Sequence, residues 1–346
     1  MKVLLLAPTY LDLYKPIKEE LERQGNEVVF IEDETPSFYP YYRKSFVKSF
    51  VYKCLHLFRN LNRLYEGYWK RIIDEKNLLQ QHFDVFFCIN GTSLHPFFIE
   101  KLTSNNPNLH KSLYLWDTNK YYDFERFVTY FDKCFTFDYE DAEKIGIDYL
   151  PIYYVANNES CEEKYDAFCI GTLHDNRLEI LKKIAFQMDK FNLSYCFKVV
   201  YSPVASTVKN TLLYYLSYLF ETETTRIETE YKMGKRRDAL LTTSVIPLDE
   251  YNRLMSQSRV IIDTDRESQN GLTPRLVWAI ASGKTIITTN KNLKGNPYCP
   301  KTGFWIIDRE NPIIEKEMFL ADSRRSVDNK VKELELANWV KFFINN

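Results

Sequence analysis

VIIDTDRESQNGLTPRLVWAIASGKTIITTN, residues 260–290, is the stretch that decides the fold. It opens with the β-branched run 260–262 and closes with a second such run at 285–288, and both are typical of buried strands. Between them Thr273 is placed as the N-cap of a helix and Pro274 as its first residue, and apolar side chains then recur at helical spacing. A strand, a polar loop, a helix and another strand are the repeating unit of a parallel sheet.

The polar loop of this unit is predicted to lie at the carboxyl end of its first strand. Open α/β sheets bind their ligands at that edge. The backbone N–H groups at the start of a helix attract negative charge, so the amides of Gly271, Leu272 and Thr273 suit an anionic group such as a diphosphate.

The motif Gly271–Arg275 followed by Trp278–Lys284 resembles the nucleotide-sugar signature of GT-B glycosyltransferases, and more narrowly the group 1 type of lipopolysaccharide and capsule biosynthesis. Further runs match in the same order: LYLWDT (113–118), FDKCFTFDYED (131–141), YLPIYY (149–154) and FCIGTLHDNR (168–177). One departure is Trp278, which stands where the family usually has an acidic residue thought to hold the donor ribose.

The resemblance implies an α/β fold of two Rossmann-like domains that face each other across a cleft, with a C-terminal helix that crosses back to the first domain. We expect an acceptor domain over residues 1–155, a nucleotide-sugar donor domain over 165–328 and the returning helix over 329–346. The run 151–164, PIYYVANNESCEEK, interrupts the periodicity and is the best linker candidate.

Strands and helices alternate in both halves, which predicts two doubly wound domains. The predicted strands of the first half are 3–6, 27–31, 83–89, 112–116 and 133–137, and those of the second half are 167–170, 195–200, 245–246, 260–262, 285–288 and 304–307. The first half opens like a Rossmann domain but has no G-x-G-x-x-G turn, so the sequence gives no support for a dinucleotide site there.

Composition excludes several classes of protein. The 346 residues are 45% hydrophobic and 27% charged, and the net charge of −1 argues against a nucleic-acid binder. No run is long enough to span a membrane, and the first apolar run is too short for a signal peptide. The seven cysteines show no C-x-x-C spacing, which favours reduced thiols and a cytoplasmic location.

Residues 41–76 interleave basic and aromatic side chains. Such amphipathic segments can rest on an anionic membrane surface or hold a lipid-linked acceptor, which would make the protein peripheral on the inner membrane face. The alternative is that the apolar face covers the sheet of the first domain while the lysines remain solvated.

A sugar transferase must hold a nucleotide diphosphate and stabilise it as a leaving group, which calls for cations and helix N-termini. Besides the three amides, the candidates for this role are Arg177, Arg275 and His174, and each arginine has a surface ion pair as its alternative. Glu267, Gln269 and Asn270 are candidates for contacts with the ribose or base, or for capping within the loop.

An acceptor hydroxyl also needs a general base. Asp117 is the first candidate because it ends a buried strand, and His95 is the second; the alternatives are a helix cap for Asp117 and a structural role for His95. Asp263-Thr264-Asp265 spells the D-x-D metal triplet of another glycosyltransferase fold, but a helix N-terminus already stands there to neutralise phosphate. We therefore expect no cofactor and no obligatory metal.

These observations predict a hexosyltransferase-type enzyme that moves a sugar from a nucleotide-activated donor to a surface glycan or glycolipid. Two alternatives stay open: a non-catalytic protein that binds nucleotides or glycans on the same scaffold, and a nucleotide-sugar epimerase, since folds of this type also host that chemistry.

Overall fold

The computed structural model describes residues 1–9, 12–33, 61–119, 123–156, 162–204, 207, 215, 223–265, 270–320 and 327–345. The chain divides into two compact units. The first unit consists of Met1–Tyr153 together with Glu333–Asn346, and the second consists of Tyr154–Lys332. The chain passes from one unit to the other at Tyr154, inside the run 151–164 that breaks the sequence pattern.

The first unit is built on a parallel sheet whose six strands have the order β2-β1-β3-β4-β5-β6. These strands are β1 (Lys2–Ala7), β2 (Glu27–Glu32), β3 (Val85–Ile89), β4 (His110–Leu115), β5 (Lys133–Thr136) and β6 (Asp148–Tyr149). Every residue of β3 is buried, as expected of a strand covered on both faces. The predicted strands of this half are confirmed, with ends that differ by one or two residues.

Helices cover this sheet. They are α1 (Tyr14–Arg23), α2 (Leu61–Glu75), α3 (Pro96–Asn105), α4 (Glu125–Val128) and α5 (Tyr139–Ile145), with a 3-10 turn at Leu78–Gln80. The buried side chains of α2, which include Tyr68, Trp69 and Ile72, belong to the core cluster of the unit, so this helix covers the sheet. The basic residues 43–59 of the same region lie outside the described residues.

The second unit contains another parallel sheet of six strands, in the order β12-β11-β10-β7-β8-β9. These strands are β7 (Tyr165–Thr172), β8 (Tyr195–Val200), β9 (Leu241–Thr242), β10 (Ser258–Asp263), β11 (Thr285–Thr288) and β12 (Phe304–Ile306). The strand predicted at 245–246 is wrong: β9 lies four residues earlier, and Val245 is 82% exposed. Two β-branched residues alone do not make a strand when the chain there has no neighbour to pair with.

In its described residues the second unit has the helices α6 (Arg177–Phe191), α7 (Glu223–Lys232), α8 (Leu248–Ser256), α9 (Pro274–Ala281) and α10 (Asn329–Lys332), with 3-10 turns at Lys291–Leu293 and Lys316–Phe319. The predicted N-cap of α9 is confirmed: the Thr273 hydroxyl accepts a hydrogen bond from the Leu276 N–H, and Pro274 is the first helical residue. The five cysteines in the described part of the chain are free thiols.

The C-terminal segment returns to the first unit as two short helices, α11 (Leu336–Trp339) and α12 (Lys341–Ile344), instead of one continuous helix. Trp339 is fully buried, and its indole N–H donates to the Pro151 carbonyl at 3.0 Å. The Trp339 ring packs against Tyr114, Tyr153 and Phe343. Among the described residues, no helix is both long and apolar enough to traverse a lipid bilayer.

Candidate functional site

In the second sheet, the order in which the chain adds strands reverses between β7 and β10. From β7 the chain adds β8 and β9 on one side, and it later returns to place β10, β11 and β12 on the other. Such a switch point opens a crevice at the carboxyl ends of the two central strands. Asp263 ends β10, Thr264 and Asp265 follow it, and each of the three residues is bound by a different arginine.

Arg275, in the first turn of α9, binds the first of these residues. Its Nη1 donates to Asp263 Oδ1 at 2.9 Å, and its Nη2 donates to the Ile170 carbonyl of β7 at 2.7 Å. Asp263 is fully buried and also accepts from the hydroxyls of Thr273 at 3.2 Å and Thr288 at 3.1 Å. Arg275 therefore joins the two strands that flank the switch point.

Arg177, the first residue of α6, binds the second of these residues, Thr264. Its Nε donates to the Thr264 hydroxyl at 2.8 Å, its Nη2 to the Thr264 carbonyl at 2.5 Å, and its Nη1 to the Thr172 carbonyl at 2.7 Å. Both arginines cross over Gly171: a Cβ there would lie 2.9 Å from Arg177 Cζ and 2.9 Å from Arg275 Nη2. A side chain at this position would have to displace the two guanidinium groups, so glycine suits it.

Arg309, which no pattern in the sequence singles out, binds the third residue, Asp265. Its Nη1 donates to the Asp265 carbonyl at 3.0 Å and to Asp265 Oδ1 at 3.1 Å. The Thr289 hydroxyl donates to the same Oδ1 at 2.5 Å. Burial, reinforced by Asp263, raises the pKa of Asp265 above its ordinary value, although Thr289 and Arg309 oppose the shift. Its position in the sequence is the one signal that could have identified Arg309, because it follows the predicted strand 304–307 and therefore lies at the same sheet edge.

The N-terminus of α9 lies beside this cluster. Gly271 and Leu272 are buried immediately before the helix, and Thr273 joins its cap to Asp263. Asn270 accepts a hydrogen bond from the Asn292 side-chain amide, which follows β11. Glu267 and Gln269 lie outside the described residues, so their contacts with a ribose or base stay predictions.

His174 lies in the loop between β7 and α6 and is buried. Its Nδ1 is 3.1 Å from Asp175 Oδ2, and because the carboxylate accepts, Nδ1 carries the proton. Asp175 has a left-handed backbone with φ of 47° and lies 4.0 Å from Arg309 Nη2. The structure thus places His174 at the same edge of the sheet as the three arginines, held by its neighbour.

An aromatic pair borders the arginine cluster. The Tyr251 hydroxyl of α8 accepts from Arg275 Nε at 3.3 Å, and the Tyr251 ring meets Trp278 edge-to-face at 6.0 Å between centroids. Burial raises the pKa of Tyr251, with Arg275 opposing, so the phenol is neutral. Trp278 lies three residues after Arg275, on the same face of α9.

In the first unit, Asp117 follows β4 and is tied to the end of β3. Asn90 donates through Nδ2 to Asp117 Oδ2 at 2.6 Å and accepts through Oδ1 from the Trp116 N–H at 3.0 Å. His95 is the N-cap of α3: its Nδ1 accepts from the Phe97 N–H at 3.2 Å. Burial lowers the pKa of His95, which suits a ring nitrogen that accepts a hydrogen bond. The two candidates for the base thus end or follow neighbouring strands, but their contacts differ.

Comparisons with known proteins agree on the fold. No family model matches the sequence, and no curated protein matches it. Among solved structures, the chain is similar to an α,α-trehalose-phosphate synthase (UDP-forming) from Burkholderia vietnamiensis, with a TM-score of 0.56 and 10% identity over 99% of each chain.

It is also similar to an E. coli structure described as "trehalose-6-phosphate from E. coli bound with UDP-2-fluoro glucose". The TM-score is 0.55, and the identity is 12% over 99% of this chain and 98% of the other. A third match is the N-terminal domain of a Candida albicans trehalose-6-phosphate phosphatase, with a TM-score of 0.55 and 11% identity over 99% and 95%. The chain therefore has the two-domain α/β architecture of the GT-B fold.

Proposed function

We propose that this protein is a glycosyltransferase that binds a nucleotide-sugar donor in its second unit and transfers the sugar to an acceptor hydroxyl. The observation that carries the proposal is the arginine cluster at the switch point of the second sheet, beside the N-terminus of α9. A diphosphate needs this combination of fixed cations and helix N–H groups. The similar synthase is UDP-forming and the E. coli structure holds a UDP-sugar, which supports the same ligand class here.

In this mechanism the second unit acts by electrostatics. Arg275 and Arg177 are held by the protein through hydrogen bonds to fixed oxygens, so they do not reorganise when charge develops on the departing diphosphate. Leaving-group stabilisation and positioning would then supply most of the rate enhancement, with no obligatory metal.

Asp117 is the proposed base for the acceptor hydroxyl, and Asn90 holds its carboxylate. We propose a hexose as the transferred sugar and a surface glycan or glycolipid, such as lipopolysaccharide or capsule, as the acceptor. An enzyme with that acceptor would work in the cytoplasm or against the anionic inner face of the membrane.

A thermal-shift titration with UDP and a panel of nucleotide sugars tests the donor site. A ligand at 100 times its Kd stabilises the native state by about 2.7 kcal/mol, which is a readily measured shift in Tm. Arg275→Ala alone is a poor probe, because removing one partner of a buried ion pair leaves Asp263 uncompensated at a cost of about 3–5 kcal/mol. The double variant Arg275→Gln/Asp263→Asn removes both charges together.

We expect wild type to be stabilised by UDP and the double variant to lose that stabilisation. Arg259→Gln is the matched control, since Arg259 lies at the opposite end of β10 and pairs with Glu163 at 3.3 Å. An unchanged UDP response in the double variant would remove Arg275 from the site. Analysis of the products formed from a bound donor then distinguishes the three candidate functions. Sugar transfer or slow donor hydrolysis supports a glycosyltransferase, and an isomerised donor indicates an epimerase. Binding without turnover indicates a non-catalytic binding protein.

A further inference from the structure

The loop after β12 supplies a third arginine to the carboxyl edge of the second sheet. The Arg309 side chain is only 11% exposed, and its Nη1 contacts Asp265 twice and the Thr289 hydroxyl at 3.5 Å. Asp265 is itself 7% exposed in its side chain. The guanidinium thus joins the ends of β10, β11 and β12 in one buried contact.

The orientation of Arg309 indicates what it does. Its Nη2 is buried and makes no hydrogen bond within the described part of the chain, and it lies 4.0 Å from Asp175 Oδ2. Arg309 therefore stands between two carboxylates, one after β10 and one after β7. Because the guanidinium is buried and paired with Asp265, it affects a ligand by neutralising that carboxylate and not by contacting the ligand.

We propose that Arg309 is a positioning residue of the donor site, which neutralises Asp265 so that this edge of the sheet attracts a nucleoside diphosphate. The inference rests on the proposed function. Of the two aspartates that end β10, Asp263 is paired with Arg275. Asp265 would be an unopposed anion next to the diphosphate if Arg309 were absent, and in a site of low dielectric constant such repulsion is large.

The same arrangement predicts a dependence on pH. The titratable or polar groups that face Asp265 or its partner are Asp263, Thr289, Arg309, Asp175 and His174. Burial raises the pKa of Asp265 even with Arg309 present. Without Arg309 the carboxyl holds its proton to still higher pH, so acidification removes the repulsive charge and restores ligand binding.

Isothermal titration calorimetry of Arg309→Gln, Asp265→Asn and the double variant tests the proposal, with UDP, UMP and uridine as ligands at low ionic strength. We expect Arg309→Gln to weaken UDP binding about tenfold or more, UMP binding less, and uridine binding not at all, since the repulsion scales with ligand charge. Adding Asp265→Asn restores UDP affinity to within about threefold of wild type. In Arg309→Gln, lowering the pH from 8 to 6 brings the affinity for UDP back towards wild type.

Other results overturn the inference. An equal loss for all three ligands, or a loss that neither Asp265→Asn nor acidification restores, means that Arg309 only holds the scaffold. Unchanged UDP binding in Arg309→Gln removes it from the site. If Arg309→Gln does not fold, Arg309→Lys and the double variant replace it. Each keeps the net charge of the pair, so each should keep UDP affinity within about threefold of wild type, and a larger loss in either overturns the inference. Wild type that binds none of the ligands overturns the proposed function itself, and this inference with it.

Discussion

The carboxyl edges of the two sheets hold buried aspartates in opposite ways. In the first unit Asp33, after β2, accepts four hydrogen bonds of 2.7–3.0 Å from the backbone N–H groups and hydroxyls of Thr92 and Ser93. In the second unit Asp263 and Asp265 are paired with arginines. Neutral donors fix a loop, whereas arginines also bring positive charge to the edge.

This difference shows that a parallel sheet supplies only the position of a site. Burial raises the pKa of Asp33 above its ordinary value, and the four donors only partly offset the shift. These four contacts hold Asp33 with neutral donors and bring no cation to it. The second edge gathers three guanidinium groups around one strand end, and two of them are paired with Asp263 and Asp265. One positive charge remains among these five groups, which is the sign that an anionic substrate requires.

The largest expected effect is a loss of stability in the first unit that leaves the second unit unchanged. Trp339→Ala removes a fully buried ring that packs on Tyr114, Tyr153 and Phe343, and such a truncation costs about 3–5 kcal/mol. Because Trp339 belongs to the first unit, hydrogen exchange followed by mass spectrometry should show faster exchange in peptides of residues 1–153. Peptides of the second unit should keep their protection.

Phe186→Ala is the control, because Phe186 of the second unit is 61% exposed and its loss should change exchange little in either unit. Equal loss of protection in both units after Trp339→Ala would show that the two fold and unfold as one.

A smaller effect is expected from the glycine under the arginine cluster. Gly171→Ala places a methyl group within 2.9 Å of the Arg177 and Arg275 guanidinium groups, so both must shift from their present positions. A displaced guanidinium also loses its charged hydrogen bond to the proposed diphosphate, which is worth about 1.5–3 kcal/mol, so UDP affinity should fall on the order of tenfold to a hundredfold. Calorimetric titration measures the change.

Gly295→Ala separates this effect from general destabilisation. A Cβ at Gly295 meets no neighbour, but its φ of 83° strains any side chain, so this variant lowers stability without touching the arginines. UDP affinity should be retained in Gly295→Ala. A comparable loss in both variants would mean that the arginine geometry is not what binds the diphosphate.

The smallest effect concerns His95 in the first unit. The ordinary pKa of histidine, 6.5, is lowered in the fold, so the neutral ring is favoured and stability is lost as the pH falls from above 6.5 through the lowered pKa. Protonation of Nδ1 removes the cap of α3, which is worth about 1 kcal/mol. His95→Asn keeps a capping side chain and should reduce the acid sensitivity seen in urea unfolding at pH 7.5 and 5.5. If both proteins lose stability equally, His95 does not titrate as the cap contact implies.

The sequence determined the local structure well. Buried strands such as β3 and β10 were found because continuous apolar and β-branched runs have few other uses in a chain of this length. The start of α9 was found because Thr273 and Pro274 satisfy the free groups of a helix N-terminus by local contacts alone. Arg177 and Arg275 are candidates from the sequence because they are cations beside a predicted turn and a predicted helix start, whereas Asp263 appears only in a metal triplet that was set aside.

Only the tertiary structure decided which of these residues meet. The strand order places β7 beside β10, and this alone brings Arg177 to Thr264, 87 residues away, and Arg275 to Ile170. Arg309, which follows β12, pairs with Asp265 across 44 residues because β12, β11 and β10 are consecutive in the sheet. Periodicity reports the environment of a residue within its own element, whereas contacts between strand ends depend on the order of strands in the sheet, which no local pattern records.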